Sequence, residues 1–122
     1  MTLQVFGTHP TVPLSAAIRA GDFIFLSGQV PSVPTAGWSG RHRNQTRQVL
    51  NNIKAALETA GATLSDVVKA TIWLTDRMTS PASMRSTAPI STKPSARSCV
   101  VSQLMVDACV EIEVIAYKPL PG

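Results

Sequence analysis

The chain has 122 residues, of which 44% are apolar and 15% charged, and its formal net charge is +4 at pH 7. This length predicts one domain over residues 1–122, because two domains of half that size would each struggle to bury a core. No apolar run approaches the ~20 residues of a membrane span, and the first four residues lack the basic start of a secretory signal. We therefore exclude a membrane protein, a secreted mini-protein and a disordered chain, and expect a cytoplasmic globular protein.

The first half of the chain predicts a strand, a loop and a helix. The apolar run Phe23–Leu26 lies between Gly21-Asp22 and Ser27-Gly28-Gln29, a pattern typical of a strand that enters a tight turn. Residues 29–40 contain two Pro and two Gly and predict a loop. From Asn44 the apolar residues recur at helical spacing, which predicts a helix of about 17 residues that ends at Gly61. Its apolar positions are Val49, Leu50, Ile53, Leu57 and Ala60.

The second half returns to strand patterns. Residues 67–75 alternate, with Val68, Ala70, Ile72 and Leu74 on one face and Lys69, Thr71, Trp73 and Thr75 on the other. A helix between two strands predicts a sheet with that helix packed across one face. Ser80-Pro81 predicts a short or irregular second helix within residues 80–93. A strand pair, 98–104 and 109–117, joined by a turn at 105–108, completes an α/β (α+β) domain.

The last predicted strand has two unlike faces. One is wholly apolar and suits covering by helices: Val110, Ile112, Val114 and Ala116. On the other, Glu111 and Glu113 point the same way, about 7 Å apart along the strand, flanked by Cys109, Ile115 and Tyr117. Such a mixture is not typical of a fully solvated face. We therefore predict that another subunit covers it and leaves a polar pocket at the interface.

Arg97 is the second candidate functional residue. It is the last charge before an uncharged run that extends to Asp107, at the start of a predicted strand. A guanidinium at that position offers a planar, two-pronged donor for a carboxylate. The alternative is a surface Arg that pairs with Glu111 or Glu113, and spacing alone favours neither. No Gly-x-Ser-x-Gly, phosphate-binding Gly loop or His-x-Glu pattern supports the common hydrolase or nucleotide mechanisms.

The remaining polar features predict no metal and only a minor nucleic-acid alternative. Cys99 and Cys109, ten positions apart, fit neither a zinc ribbon nor a redox pair, and we predict two buried free thiols. His9 and His42 stand alone, so no metal site is expected. The basic cluster Arg41, Arg43 and Arg47 would attract phosphate or RNA, but it has no interleaved aromatic side chains for base stacking.

Six segments, in order and with matching spacing, resemble the Rid family (reactive intermediate deaminase, also called the YjgF family). The resemblance extends from about residue 13 to residue 116. The segments are Ser27-Gly28-Gln29, Gln45–Asn52, Ala60-Gly61, Asp66–Lys69, Ala96–Val100 and Val110–Glu113.

This resemblance implies a chorismate-mutase-like fold, with a mixed sheet and two helices packed on one face. It implies a barrel-like homotrimer with active sites in the clefts between subunits. It also implies hydrolysis of enamines or imines, such as the 2-aminoacrylate released by pyridoxal-phosphate enzymes, to 2-keto acids and ammonia. No cofactor or metal is implied, and the expected partners are small imino or keto acids and further copies of the chain.

The resemblance also implies roles for single residues. Arg97 matches the Arg that binds the substrate carboxylate, and Glu111 matches the carboxylate that positions or activates water. Ser27, Gly28 and Cys99 match pocket-lining positions, the last two acting largely through backbone groups. Because a Glu near an Arg keeps a low pKa unless it is desolvated, we expect Glu111 to position water rather than to abstract a proton fully.

The chain departs from the family pattern at three places. Leu14 stands where a Gly-Pro-Tyr motif commonly supplies a Tyr, Met84 stands where an Asn is frequent, and residues 103–107 replace a Leu-Pro-x-Gly turn. Leu14 and Met84 predict a more apolar pocket and bulkier substrates than 2-aminoacrylate. Two alternatives stay open: a non-catalytic trimer that binds small carboxylates or 2-keto acids, and an endoribonuclease or translation inhibitor that only the basic cluster supports.

Overall fold

A computed structural model describes residues 3–8, 11, 14–30, 42–75, 95–105 and 108–120, with the backbone alone for residues 42–45. These residues form six strands and one α-helix. In chain order they are β1 (Leu3–Thr8), β2 (Ser15–Ala20), β3 (Phe23–Leu26), α1 (His42–Thr59), β4 (Val67–Leu74), β5 (Ala96–Val101) and β6 (Val110–Tyr117), with a short 3₁₀ turn, Leu64–Asp66, before β4. Within these ranges no helix is long and apolar enough to cross a membrane.

All six strands belong to one mixed sheet with the order β1-β2-β3-β6-β4-β5. Every neighbouring pair is antiparallel except β4 and β5, which run parallel. The predicted α+β class with a mixed sheet is therefore confirmed. The predicted strand at 23–26, the helix that ends before Gly61 and the strand from 67 are all present, whereas the second helix predicted within 80–93 lies outside the described residues.

The predicted pairing of the last two strands is wrong. β5 and β6 do not form a hairpin, because β4 lies between them and pairs with both. β6 buries its apolar face completely and so takes a central place between β3 and β4. β5 is largely exposed and takes the edge beside β4, beginning at Ala96 rather than Ser98. A parallel partner needs a long crossover, which residues 75–95 supply.

One face of the sheet, the helix face, carries the core. Along β6 the buried side chains are Val110, Ile112, Val114 and Ala116, as the alternation predicts. Val49, Ile53 and Leu57 of α1 are fully buried in the same cluster. Burying each such side chain stabilises the fold by about 1.5–3 kcal/mol. The simple alternation along β4 predicted that Val68 shares the buried face. Instead Val67 is buried, because the strand register is irregular between Val67 and Lys69.

The opposite face of the sheet, the open face, is apolar in part but exposed. Cross-strand pairing puts Phe23, Phe25 and Tyr117 on this face, at 42%, 45% and 44% exposure. The Phe23 and Tyr117 rings meet edge to face, with centroids 5.2 Å apart. Leu3 and Val5 of β1 extend the apolar surface. No described element covers the open face, so in the single chain these large side chains face solvent.

The end of α1 depends on a left-handed backbone at Gly61, where φ is +86° and no heavy atom lies within 4 Å of the position of an added Cβ. We therefore expect Gly61→Ala to lower the free energy of unfolding by about 1 kcal/mol through backbone strain alone. Gly61→Asn should lower the free energy of unfolding by less than Gly61→Ala, because Asn tolerates the left-handed conformation better than Ala. Urea unfolding at one fixed chain concentration measures both, and an Ala variant as stable as the parent chain would contradict the prediction.

Candidate functional site

Glu111 lies on the open face of β6, directly across from Trp73 of β4. Beyond β3 the chain continues alongside β6, and Gln29 and Ile112 exchange backbone hydrogen bonds of 2.8 and 3.0 Å. Between the Phe25–Ile115 and Gln29–Ile112 pairs, four steps on one segment oppose three on the other, which is the pattern of a β-bulge. This bulge brings the backbone of Gly28 against the Glu111 side chain.

The contact between Gly28 and Glu111 leaves no space for a side chain at position 28. A Cβ built on Gly28 would overlap the Glu111 carboxylate and lie only 3.0 Å from Cδ and 3.3 Å from Cγ. Separations this short require the carboxylate to move. The absence of a side chain at Gly28 therefore leaves the space that the Glu111 carboxyl group occupies, a role that the Ser-Gly-Gln motif alone did not reveal.

Ser27 anchors the same bulge to β2. Its hydroxyl donates to the carbonyl oxygen of Ser15 at 2.5 Å, and its N–H donates to the carbonyl of Ala16 at 3.0 Å. The hydroxyl hydrogen is thus committed to the protein, and only the lone pairs of Oγ remain for another group. Leu14, the residue before Ser15, is 45% exposed. Met84 lies outside the described residues.

The Glu111 carboxyl has a pKa above its usual value of 4.5, chiefly because partial burial disfavours its charged form. The negative charge of Glu113, two residues along the same face, is the second cause. A low pKa was expected of Glu111 only without desolvation, and this desolvation is present in the single chain. A carboxylate whose pKa is raised in this way is a better proton acceptor than that of an ordinary Glu.

Arg97 and Cys99 lie on the edge strand β5, where Arg97 pairs with Ala70 and Cys99 with Ile72. Ala70 and Ile72 are fully buried on the helix face, so Arg97 and Cys99 belong to that side of the sheet. Arg97 is half-buried and Cys99 is exposed. These two residues form the arginine half-site, and Ser27, Gly28 and Glu111 form the carboxyl half-site.

The predicted pair of buried free thiols is only half right. Both cysteines are free, but Cys99 is exposed and Cys109 is only partly buried. Cys99 is exposed because an edge strand has no outer neighbour to cover it. Partial burial raises the pKa of the Cys109 thiol. Within the described ranges no three His, Cys, Asp or Glu side chains come together to hold a metal ion.

Strand register separates Arg97 from the acid pair. Glu111 and Glu113 pair with Trp73 and Thr71, whose side chains lie on the open face. The bond from Lys69 Nζ to Ser98 Oγ, 3.0 Å long, places Ser98 on that face and its neighbour Arg97 on the other. An ion pair between Arg97 and either Glu of the same chain is therefore excluded. The two half-sites of one chain do not meet.

Two further residues belong to the carboxyl half-site and were not singled out from the sequence. Trp73 lies beside Glu111 on the open face. The Gln29 side chain donates to the carbonyl oxygen of Ser27 at 3.1 Å and so stabilises the bulge. Gln29 stood inside a recognised motif, but its contact depends on the bulge. Trp73 gave no signal beyond strand alternation.

Comparison with known proteins connects these features to a family. The family model described as endoribonuclease L-PSP matches residues 7–118. A RutC family protein of Pyrococcus horikoshii is 46% identical over 114 residues, which cover 89% of this chain and 90% of the relative. A protein of Salmonella typhimurium named 2-iminobutanoate/2-iminopropanoate deaminase is 37% identical over 113 residues, covering 87% of this chain and 88% of that protein.

Solved structures agree with the sequence matches. The crystal structure of RidA from the Antarctic bacterium Psychrobacter has a TM-score of 0.81 at 33% identity, covering 96% of this chain and 98% of that one. A putative endoribonuclease of Thermotoga maritima has a TM-score of 0.83 at 35% identity, with 91% of both chains covered. The resemblance seen in the six sequence segments is thus confirmed. The chain belongs to the endoribonuclease L-PSP family, whose members also carry the names RutC, RidA and YjgF.

Proposed function

We propose that the chain is an enamine/imine deaminase that hydrolyses reactive 2-imino acids to 2-keto acids and ammonia. The observation that carries the proposal is the Glu111 carboxyl group, which has a raised pKa and lies against the backbone of Gly28. The relative named 2-iminobutanoate/2-iminopropanoate deaminase supports the same reaction class. No cofactor is required, since a protonated imine carbon is already electrophilic.

The active site of this proposal contains half-sites from two chains. Arg97 and Glu111 of one chain lie on opposite faces of its sheet, so one substrate reaches both residue types only between subunits. The open face, with Phe23, Phe25 and Tyr117 about half exposed, supplies an apolar surface for that contact. Symmetric association of three copies then joins each arginine half-site to the carboxyl half-site of a neighbour.

The chemistry assigns one task to each half-site. Arg97 holds the substrate carboxylate through two N–H donors and fixes the imine carbon in place. Glu111 orders a water molecule and accepts one of its protons as the oxygen bonds to that carbon. The same carboxyl then returns the proton to the nitrogen of the tetrahedral intermediate. Glu111, ionised again, takes the proton of the new hydroxyl as the C–N bond breaks, so that the carbonyl of the 2-keto acid forms and ammonia leaves. The proton then passes from Glu111 to the departing ammonia.

The side chains near the carboxyl half-site favour apolar substrates. Leu14 precedes Ser15, whose carbonyl oxygen binds the Ser27 hydroxyl, and its side chain is exposed. A Leu at this place adds an apolar surface where a Tyr would add a hydroxyl. We therefore propose that imines with aliphatic side chains are better substrates than 2-aminoacrylate.

Two alternatives remain as outcomes of the tests. A non-catalytic trimer would bind 2-keto acids at Arg97 without hydrolysing any imine. The family description also names an endoribonuclease. Of the basic cluster only the Arg47 side chain is described; it is exposed on α1, and that helix contains no aromatic residue. The helix that carries Arg47 thus has no aromatic side chain on which a base could stack, and we do not propose a ribonuclease.

Removing Arg97 tests the reaction. We expect Arg97→Ala to lower kcat/KM for imines made fresh by an amino-acid oxidase by about 100-fold or more, since a charged hydrogen bond contributes about 1.5–3 kcal/mol and its loss also misplaces the substrate. Ammonia and keto-acid release measure the rate. Arg47→Ala on the exposed face of α1 is the matched control and should leave the rate unchanged.

Equal rates for the parent chain and Arg97→Ala across several imines would contradict the deaminase proposal. Binding of 2-keto acids by calorimetry with no turnover of any imine would instead support the non-catalytic alternative.

Mixing two inactive variants tests whether the site is shared between chains. If Arg97 and Glu111 meet only across subunits, Arg97→Ala and Glu111→Gln chains unfolded and refolded together restore about one quarter of the sites, because random association pairs an intact Arg with an intact Glu at that frequency. The control is Glu111→Gln refolded with Glu111→Ala, which contains no intact Glu and should recover nothing. Absence of recovery in the first mixture, or a stable monomer in light scattering, would contradict the shared site.

The raised pKa of Glu111 predicts a pH dependence. We expect kcat/KM to rise with pH as this carboxyl loses its proton, above the usual value of 4.5 for a Glu. Glu113→Gln removes a negative charge that disfavours ionisation, so it should move this rise to lower pH with little loss of maximal rate.

The same shift affects stability. The ionised form of Glu111 is disfavoured in the folded chain, so the stabilisation from its neutral form is present at low pH and is lost as pH rises through the folded pKa. Glu111→Gln should therefore gain stability relative to the parent chain between low and neutral pH. A difference that does not change with pH in urea unfolding would contradict the shift.

A further inference from the structure

A pocket unrelated to either half-site opens on the helix face, at the β1–β2 edge of the sheet. Its volume is about 320 Å³, near the lower end of small-molecule sites. It lies between the end of α1, the two edge strands and the residues that follow β6. Its lining consists of Gln4, Phe6, Arg19, Thr59, Ala60, Gly61, Lys118, Pro119 and Leu120. The arginine half-site lies on β5 at the opposite edge of the sheet.

Arg19 of β2 is the unusual member of this lining, because its side chain is only 4% exposed. Its Nη1 donates to the carbonyl oxygens of Gly21 at 3.1 Å and Lys118 at 2.6 Å. Those two bonds use both hydrogens of Nη1 and hold the guanidinium against the residues after β6. A buried cation with a fixed orientation is costly unless some group offsets its charge.

The other edge of the guanidinium belongs to a side chain that lines the pocket. Among the described residues, the two bonds from Nη1 are the only hydrogen bonds of the Arg19 side chain. Nε and Nη2 therefore make none there. In the described part of the chain, Ser95 Oγ is the single buried side-chain atom without a partner. Nε and Nη2 are therefore not sealed inside the protein. They form the two-pronged edge that matches a carboxylate.

The charge around this edge is positive. Arg19 and Lys118 both line the pocket, and in the part of the chain that the structure describes no Asp or Glu does. The nearest acidic residues along the chain are Asp22, whose carbonyl oxygen accepts the Lys118 N–H, and Glu58, which directly precedes the lining residue Thr59. The end of α1 contributes about half a negative charge, less than the two cations supply.

We infer that this pocket binds a small carboxylate with a short aliphatic tail, its carboxylate on Arg19 and Lys118 and its tail against Phe6, Pro119 and Leu120. The anion would supply the negative charge that no described residue places in the lining beside Arg19. The three apolar side chains would cover a tail of a few carbons, which favours such a ligand over inorganic phosphate. This site is additional to the proposed deaminase site and does not depend on it.

The test is a titration followed by amide chemical shifts in ¹⁵N-labelled protein. Because the proposed deaminase site also binds carboxylates, the titration uses Arg97→Ala chains, in which that clamp is absent. We expect 4-methylpentanoate to shift the amides of Gly61, Lys118 and Leu120 with a Kd of about 1 mM or tighter. The neutral 4-methylpentanamide and inorganic phosphate should each bind at least about tenfold more weakly.

Variants of the pocket give the matched comparison. Arg19→Met keeps an unbranched apolar stem without the charged guanidinium, and Lys118→Met removes an exposed charge with little effect on folding. Each variant should raise the Kd for 4-methylpentanoate by at least about tenfold, whereas Lys54→Met on the exposed face of α1 should leave this Kd unchanged. With Arg97 restored, both pocket variants should keep the deaminase rate.

Three results would overturn the inference. They are no saturable shift at these amides, equal binding of the acid and its amide, and stronger binding of phosphate than of 4-methylpentanoate. The acid and amide comparison needs no substitution at Arg19, so it stands even where Arg19→Met fails to fold. Loss of imine hydrolysis with an intact carboxylate titration would separate failure of the proposed function from failure of this site.

Discussion

The alternation along β6 is the constraint on which both the core and the candidate site depend. As the strand between β3 and β4, β6 buries four aliphatic side chains under α1 and turns Glu111 and Glu113 to the open face. A shift of one residue in the pairing of β6 would turn its aliphatic side chains to the open face and place both acids in the core. The free-energy cost of burying two unpaired carboxylates would exceed the stability of a fold of this size. The position of the candidate carboxyl is thus fixed by the same pairing that forms the core.

The bulge after β3 gives the Glu111 carboxyl group surroundings that differ from those of a Glu on a regular strand. Gln29 pairs with Ile112 one step out of the β3 register, which brings a backbone without a side chain against Glu111. Partial burial at this contact raises the pKa of the carboxyl group, and Glu113 adds to the effect. The neighbour Glu113 comes from the alternation of β6 itself, whereas the close approach of the Gly28 backbone depends on the bulge.

The parts of the fold that follow from local pattern were predicted correctly. Two local patterns predicted which side of an element is buried: the helical spacing of Val49, Ile53 and Leu57, and the alternation of β6. The structure buries the predicted side of each element. β1 and β2 were missed because their residues alternate weakly. β2 has three alanines, which carry little strand preference and bury little surface.

The parts that failed depend on contacts between distant residues. Nothing in residues 96–117 states that β4 lies between β5 and β6, so a hairpin was the simpler expectation. That error also hid the separation of Arg97 from Glu111, since only the parallel pairing with β4 assigns Arg97 to the helix face. The family resemblance implied the residue types of the proposed site. It did not reveal that one chain contains them as two separate halves.

The proposed assembly changes the environment of Glu111 in two opposing ways. A neighbouring subunit on the open face would remove further water from the carboxyl group and so raise its pKa. The same neighbour would bring its own Arg97 towards the site, and a guanidinium within a few ångströms favours the charged carboxylate and lowers the pKa. When the substrate carboxylate occupies Arg97, it offsets that positive charge and leaves burial and Glu113 as the dominant influences. The positive charge of a protonated imine beside Glu111 then acts as the guanidinium did and lowers this pKa, so Glu111 accepts a proton from water best where burial and Glu113 outweigh that charge.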